Sequence, residues 1–405
     1  MPTDTITADA NATPTAATAT PTVATAATAV HGTVDKGYEG VREEFAAFVA
    51  GEENDPGAQL AAYKDGKLVV DLWAGDVTGD SLTGVFSVTK GAAHLVVALL
   101  VQDGVLELDR KVADYWPEFA AEGKGALTLR ELLAHRSGVI GADDGFTPEE
   151  LADDRVIAER LAGQRPFWQP GVGYGYHALV IGALTGEVVR RVTGRSIQEI
   201  YEERVRAPYD LDFFLGLPES ERARHRDALP MLPTPEQHAE LTANAGGRYS
   251  RLAIAFNISA DPSFDLTAFV NSDVSLTKSQ ASVGGAGNAR GIAGMYAATI
   301  GGFNGLGPLL KPETIAEFSR IHSHGTDLVV NFPNPFALGF EAVSVLFPAL
   351  GANAFGHSGA AGSLAFGDAR SGLAYGYTRR RCAFPGGVAP ENARLSKAVY
   401  EAAIA

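Results

Sequence analysis

Apolar and polar positions repeat with two different periods along this chain, and the changes of period mark its elements. Residues 38–50 (Y-E-G-V-R-E-E-F-A-A-F-V-A) place Val41, Phe45 and Val49 at i, i+4 and i+8, which predicts an amphipathic helix. Two short apolar runs follow at 59–63 and 68–73, separated by Lys64-Asp65-Gly66-Lys67. Asp-Gly between apolar runs predicts a tight hairpin. Residues 85–103 (V-F-S-V-T-K-G-A-A-H-L-V-V-A-L-L-V-Q-D) break the alternation, being apolar from Ala92 to Val101 apart from His94. A helix apolar on nearly every side is a buried one.

Residues 105–285 read as mostly helical with long loops. The stretch 127–135 (L-T-L-R-E-L-L-A-H) predicts a short helix capped by Thr128 and ended by Ser137-Gly138. Further helices are predicted over 178–192, 197–205 and 288–299, whereas 217–285 is rich in Pro and Gly and the least periodic. Strands are predicted at 336–343, 363–367 and 373–377, the last two joined by Asp368-Ala369-Arg370-Ser371-Gly372, and a helix over 391–404 closes the chain. Strands at both ends with helices between predict an α/β sheet domain built from 33–80 and 286–405, with a mainly helical domain, 81–285, inserted. Residues 1–32 form a Thr/Ala/Pro tract of low complexity and are expected to be a disordered tail.

Composition narrows the function. Of 405 residues 46% are apolar, enough for a sizeable core, and the formal net charge is −15. That balance argues against partnership with nucleic acid or an anionic membrane, both of which call for basic patches. The Arg379-Arg380-Arg381 run reads as solvated charge. One cysteine, Cys382, leaves no internal disulfide and no cysteine-rich metal site. No basic leader region precedes Lys36 and no run approaches a membrane span, so a soluble cytoplasmic protein is expected.

The chemistry starts at the mouth of the apolar helix. Ser87 and Lys90 are three apart, so the hydroxyl and the amine share a face. A serine becomes a nucleophile when a neighbouring base takes its proton. A lysine can be that base when burial and the positive end of a helix lower its pKa. A capping box would want Glu or Gln where Lys90 stands. The same S-x-x-K spelling recurs at Ser275 and Lys278 without an apolar entry, and is read as coincidence.

Two further stretches carry potential chemistry. Pro170-Gly171-Val172-Gly173-Tyr174-Gly175-Tyr176-His177-Ala178 is a turn feeding a helix, and a tyrosine there can relay protons if positive charge lowers its pKa from about 10. Aromatic residues around 167–176 are candidates for an acyl pocket. Phe355-Gly356-His357-Ser358-Gly359-Ala360-Ala361-Gly362 is glycine-rich, so a substrate can approach its backbone closely. His322-Ser323-His324 lacks a third metal ligand nearby, His135 and His177 read as structural, and no G-x-S-x-G, H-E-x-x-H or Walker A sequence occurs.

In order and spacing, these three stretches resemble the serine β-lactamase and penicillin-binding-protein superfamily, and within it the class C-like family VIII carboxylesterases. The flanks D-G-V-L-E-L-D, L-T-L-R-E-L-L-A-H-R-S-G-V, G-E-V-V-R-R-V-T-G-R-S and A-R-G-I-A-G-M-Y-A-A-T resemble that group too, over roughly residues 38–400. The resemblance implies a β-lactamase/transpeptidase-like fold, α/β plus all-α, with an antiparallel sheet flanked by helices and an inserted helical domain. It implies Ser87 as nucleophile, Lys90 as its base partner and Tyr176 as the third catalytic group. Tyr176 is preferred to Tyr174 because it stands six residues after Pro170 and six before Gly182. The backbone N–H groups of Ser87 and Ala360 would form an oxyanion hole, and His357, Ser358 and Gly359 would line the substrate site. Tyr176 and Lys90 would together deprotonate Ser87.

Two departures shape the expected substrate. Ala178 stands where the superfamily carries an amide, and His357-Ser358-Gly359 replaces K-T-G. Both suit a neutral ester rather than a β-lactam carboxylate. The expected activity is therefore hydrolysis of a small short-chain ester through an acyl-enzyme, with no cofactor and no metal. The alternatives are a β-lactamase, a D-amino-acid peptidase or an acyltransferase on the same scaffold, or a catalytically silent binding domain.

Overall fold

The computed structural model describes residues 28–52, 57–244 and 246–405. Most of the predicted N-terminal tail lies outside the described residues. Its last residues are ordered: β1 (Val30–Val34) begins before the predicted boundary at 33. After it come α1 (Glu39–Gly51), β2 (Ala58–Lys64) and β3 (Lys67–Ala74). Lys64 pairs with Lys67 across a two-residue turn in which Asp65 and Gly66 both have positive φ, 50° and 78°. That is the primed turn an Asp-Gly pair favours.

Six strands make one antiparallel sheet in the order β1-β3-β2-β9-β8-β7, with β7 (Phe355–Ser358), β8 (Leu364–Asp368) and β9 (Leu373–Arg379) all from the C-terminal part of the chain. Alternation along β2 divides its side chains between two cores. Leu60 and Ala62 join the cluster containing Phe45 of α1 and Leu395 and Val399 of α8 (Asn392–Ile404). Ala61 and Tyr63 join the cluster containing Ile292, Ala293 and Tyr296 of α7 (Ala289–Ile300). Covered on both faces, β9 is buried along its whole length. The fold is β-lactamase/transpeptidase-like: an antiparallel sheet with many helices around it.

The chain between the two groups of strands carries β4 (Thr83–Gly84), a 3₁₀ turn (Phe86–Val88), α2 (Thr89–Gln102), α3 (Leu129–Leu133), α4 (Asp154–Ala162), α5 (Ile181–Thr193), α6 (Ile197–Tyr201) and β5 (Phe213–Phe214). β4, β5 and β6 (Ala286–Gly287) form a small separate sheet with β6 in the middle. Every residue of α2 from Thr89 to Leu100 is buried, as its apolar run, broken only by His94, predicts for most of its length. Thr128 caps α3 in a complete capping box with Glu131. None of the helices among the described residues is long and apolar enough to cross a membrane.

One predicted strand is corrected. Residues 336–343 form a folded loop, making only isolated bridges from Phe336 to Ser323 and Glu341 and from Glu341 to Gly356. Gly339, at φ 79°, turns the chain back, and Ala337 N–H donates to Phe340 O across the reversal. The glycine-rich stretch 355–362 precedes a strand, β8, and its first four residues form β7.

Candidate active site

Ser87 sits in the 3₁₀ turn that leads into α2, behind Phe86, whose φ is 52°. That left-handed residue lets the chain enter the helix sharply and leaves the Ser87 hydroxyl outside the capping role, since neither the turn nor α2 has a side-chain cap. Thr89 ties the turn down, donating from Oγ1 to Phe86 O and accepting from Gly285 N–H.

Lys90 lies in the first turn of α2 with no exposed surface. Its Nζ is 3.0 Å from Ser87 Oγ and 2.8 Å from the carbonyl oxygen of Ser282. Burial drives the lysine pKa well below its ordinary 10.5, with only Glu341 pulling the other way. Burial thus disfavours the charged amine, which donates to the Ser282 carbonyl and stands within hydrogen-bond distance of the Ser87 hydroxyl, where a neutral lysine can act as base.

Ser282 belongs to a loop pinned from several sides. Ser282 Oγ accepts from Gly182 N–H, Ser282 N–H donates to Gln280 Oε1, and Ala281 N–H donates to Asp154. Gly182 has to be glycine: a Cβ there would stand 2.4 Å from the Ala281 carbonyl carbon.

Tyr176 completes the group. Its ring centroid lies 5.0 Å from Lys90 Nζ, and its hydroxyl shares a hydrogen bond with Ser87. Tyr174, the competing residue, donates its hydroxyl to Gly325 O instead. Three contacts hold the backbone around Tyr176. Gly175 N–H donates to His135 O at 3.1 Å, Tyr176 N–H to Asp327 Oδ1 at 3.2 Å, and His177 N–H to His135 Nδ1 at 3.1 Å. Phe336 stacks on the ring, with Phe256 against it edge-on. Trp168 braces the loop by donating its indole N–H to Gly173 O.

The expected electrostatics of this tyrosine are overturned. Burial, then the negative charge of Glu341, raise its pKa well above 10, against the lowering effect of the Ser87 bond. Burial therefore favours the neutral phenol of Tyr176 over the phenolate.

β7 supplies the opposite wall. Gly359 packs so tightly on the nucleophile's segment that a Cβ would fall 2.4 Å from Val85 O. That approach sets the Gly359–Gly362 turn against Val85 and Phe86, the residues just before Ser87; within the turn, Gly359 N–H is taken by Ser363 O and Gly362 N–H by Gly359 O. His357 is buried, 5.9 Å from Tyr176 ring to ring, with Nδ1 2.8 Å from Ser358 O and Nε2 unpartnered. Burial and the neighbouring Lys90 hold its pKa well below 6.5, so the ring is neutral.

Ser358 turns toward Glu341. Both its donors are engaged by Glu341, the backbone N–H at 2.8 Å and the hydroxyl at 2.9 Å. Glu341, Ser282 and Asp327 were not singled out in the sequence, whereas His135 and His177 have the hydrogen-bonded structural role read for them.

Other chemistry-bearing groups lie apart or are sealed. Ser275 and Lys278 fall in the short helix Asp273–Lys278, where Lys278 reaches out to Asp153. Ser137 Oγ is 2.6 Å from His177 Nε2, but both are fully buried and the same hydroxyl accepts Val139 N–H. Among the described residues no group of three or more His, Cys, Asp or Glu side chains could hold a metal ion. A cavity of about 480 Å³ between Phe48, Met231, Arg379 and Cys382 includes none of the site residues.

The family model described as Beta-lactamase matches residues 41–389. The chain is 31% identical over 371 residues to Esterase/beta-lactamase LipL of Mycobacterium tuberculosis, covering 88% of this chain and 84% of that protein. EstA from Arthrobacter nitroguajacolicus Rue61a superposes with a TM-score of 0.84 at 37% identity, over 92% of this chain and 98% of that one. A family VIII carboxylesterase superposes with a TM-score of 0.82 at 31% identity, over 92% and 100%.

Proposed function

The chain belongs to the beta-lactamase family, beside the family VIII carboxylesterases of the β-lactamase/penicillin-binding-protein superfamily, and we propose that it hydrolyses short-chain esters through an acyl-enzyme on Ser87. It is a serine hydrolase of the esterase/β-lactamase kind. The observation that carries the finer reading is the fully buried Lys90 amine, 3.0 Å from the Ser87 hydroxyl. The substrate is a small ester, as the esterase relatives favour.

Neutral Lys90 takes the Ser87 proton as the serine oxygen bonds to the ester carbonyl carbon. The carbonyl oxygen becomes an oxyanion facing the N–H groups of Ser87 and Ala360. As the C–O bond to the alcohol breaks, the leaving oxygen takes the Tyr176 proton, and Lys90 returns its own proton to the phenolate. Water then attacks the acyl-enzyme, giving its proton to Lys90, and Lys90 passes that proton to the departing Ser87 oxygen, which restores the resting enzyme. Lys90 is the base and Tyr176 the acid, a division that replaces the joint deprotonation expected from sequence.

His357 in place of the K-T-G lysine and Ala178 in place of the amide favour a neutral ester over a β-lactam. The test is turnover of p-nitrophenyl acetate, butyrate and octanoate, with nitrocefin alongside, by wild type and Ser87→Ala. Short-chain turnover abolished in the variant, with nitrocefin barely touched, is the expected result. Rapid nitrocefin turnover with poor ester cleavage would instead make the enzyme a β-lactamase, and ester turnover retained in Ser87→Ala would remove Ser87 from the role.

A further inference from the structure

Glu341 is a carboxylate only 5% exposed in the loop 336–343, and none of the three sequence motifs includes it. Its backbone bridges Gly356 of β7, accepting and donating at 3.3 and 2.8 Å. Its side chain accepts both donors of Ser358 and lies 3.6 Å from His357 Nδ1. A carboxylate with two charge-assisted bonds into one residue fixes that residue's orientation.

We propose that Glu341 is a positioning residue for the Ser87 chemistry, acting as the buried counter-charge of Lys90 and as the anchor that holds Ser358, and so the Gly359–Ala360 turn, against the nucleophile. The proposal rests on the reading of Ser87 and Lys90 given above.

The groups facing Lys90 leave this role to Glu341. From the preceding turn comes the neutral Ser87 hydroxyl, from the tyrosine loop the Tyr176 phenol, and from the loop after α6 and β5 the Ser282 carbonyl. His94 on the same helix, His135 and His357 are all buried, and each is disfavoured in its charged form by Lys90. Among the described residues, Glu341 is the acidic group whose charge favours the protonated form of Lys90, and it disfavours the phenolates of Tyr176 and Tyr296; burial raises its own carboxyl pKa, while the two Ser358 bonds and Lys90 pull it back down. An anion there favours the protonated amine, so Lys90 is kept from falling so low that it could no longer accept the serine proton. The same carboxylate sits behind Ser358, where a K-T-G enzyme directs hydrogen-bond donors at a substrate carboxylate.

The test is the pH dependence of kcat/KM for p-nitrophenyl butyrate in wild type, Glu341→Gln, Glu341→Asp and Ser358→Ala. Glutamine retains an acceptor for Ser358 but removes the charge, so the acid limb is expected to move to lower pH by about one unit, as removal of a nearby charge commonly does. Glu341→Asp keeps the charge and is expected to hold the wild-type limb while kcat falls, because the shorter side chain pulls on Ser358. Ser358→Ala lowers kcat without moving the limb to lower pH. A Glu341→Gln limb that coincides with wild type would overturn the proposal. If that variant does not fold by circular dichroism, a displaced limb in Glu341→Asp would overturn it equally. Loss of all ester turnover in Ser87→Ala with an unmoved limb in Glu341→Gln sinks this inference alone, whereas turnover surviving in Ser87→Ala sinks the reading beneath it.

Discussion

The rings of Tyr176 and Phe336 lie stacked, centroids 5.6 Å apart and planes 17° from parallel. Phe336 belongs to the same loop as Glu341, so one segment carries both the ring stacked on the phenol and the carboxylate whose charge acts on it. Packing therefore holds the ring whether or not the hydroxyl is present. Tyr176→Phe is expected to fold normally and to lower kcat by roughly a hundredfold or more, the range for loss of a general acid, with KM little changed. Tyr174→Phe removes a hydroxyl bonded to Gly325 O and should leave kcat within a few-fold of wild type. Steady-state kinetics on both variants decide the matter: equal effects would mean that the two tyrosines had been assigned wrongly.

Stability should fall steeply in mild acid, because the histidines around the site are buried neutral. Desolvation lowers the pKa of His94 to about 3 and that of His177 to about 4, from an ordinary 6.5. The unfolded chain then binds protons that the folded chain refuses. Stability is thus complete above about 6.5 and is lost as pH falls toward the folded values, at about 1.4 kcal/mol per pH unit for each histidine. Buried Asp154 runs the other way. Its pKa is raised from 3.8 to about 6, so its contribution declines as pH rises through that interval. His135 and His357 are lowered in the same sense as His94 and His177, and Asp327 and Glu341 are raised in the same sense as Asp154, so around the site four histidines stand against three carboxyls and the net slope between pH 4 and 6 is positive. Urea unfolding at a series of pH values measures it, and His177→Gln should flatten the slope even though it lowers stability at neutral pH. An unchanged slope in that variant would show that His177 takes up its proton in the folded state.

The elements that could be read in the sequence are those whose cause is local. An apolar run broken only by His94 made α2, Asp65-Gly66 made a hairpin, and Thr128 with Glu131 made a capping box. Ser87 and Lys90 meet as their three-residue spacing predicts, and Tyr176 lies beside them as the family resemblance implies. What escaped has a non-local cause. The alternation over 336–343 imitates a strand, yet Phe336 and Glu341 face different partners, Ser323 and Gly356, across a reversal at Gly339. β7 was hidden by its glycine, which pairs with β8 at a distance no other side chain would tolerate. Ser282 acts through a carbonyl oxygen, a group every residue owns. The proton affinities of Tyr176 and Glu341 depend on burial, which three-dimensional packing alone sets.

Helix α5 offers a test of how closely the Lys90 anchor must be held. Lys90 Nζ donates to Ser282 O, and Ser282 stays in place because its loop lies directly on Gly182. A methyl group at 182 would meet the backbone of Ala281 and Ser282 at 2.4–2.7 Å, so either the loop or the helix has to yield. Gly182→Ala is expected to cost roughly 1–3 kcal/mol of stability, as overpacking of a tight contact does. It should also lower kcat about tenfold or more, because the displaced carbonyl lets the amine turn away from Ser87 and misplacement of a catalytic group is costly. Gly186, one turn on, is the control. A Cβ there meets only Ile197 Cδ1 at 3.6 Å, so Gly186→Ala should leave kcat unchanged and raise stability slightly, through the better helix propensity of alanine. Thermal melts and kcat for the pair separate the effects. If Gly182→Ala lost stability but kept full kcat, the Ser282 carbonyl would have no part in orienting Lys90.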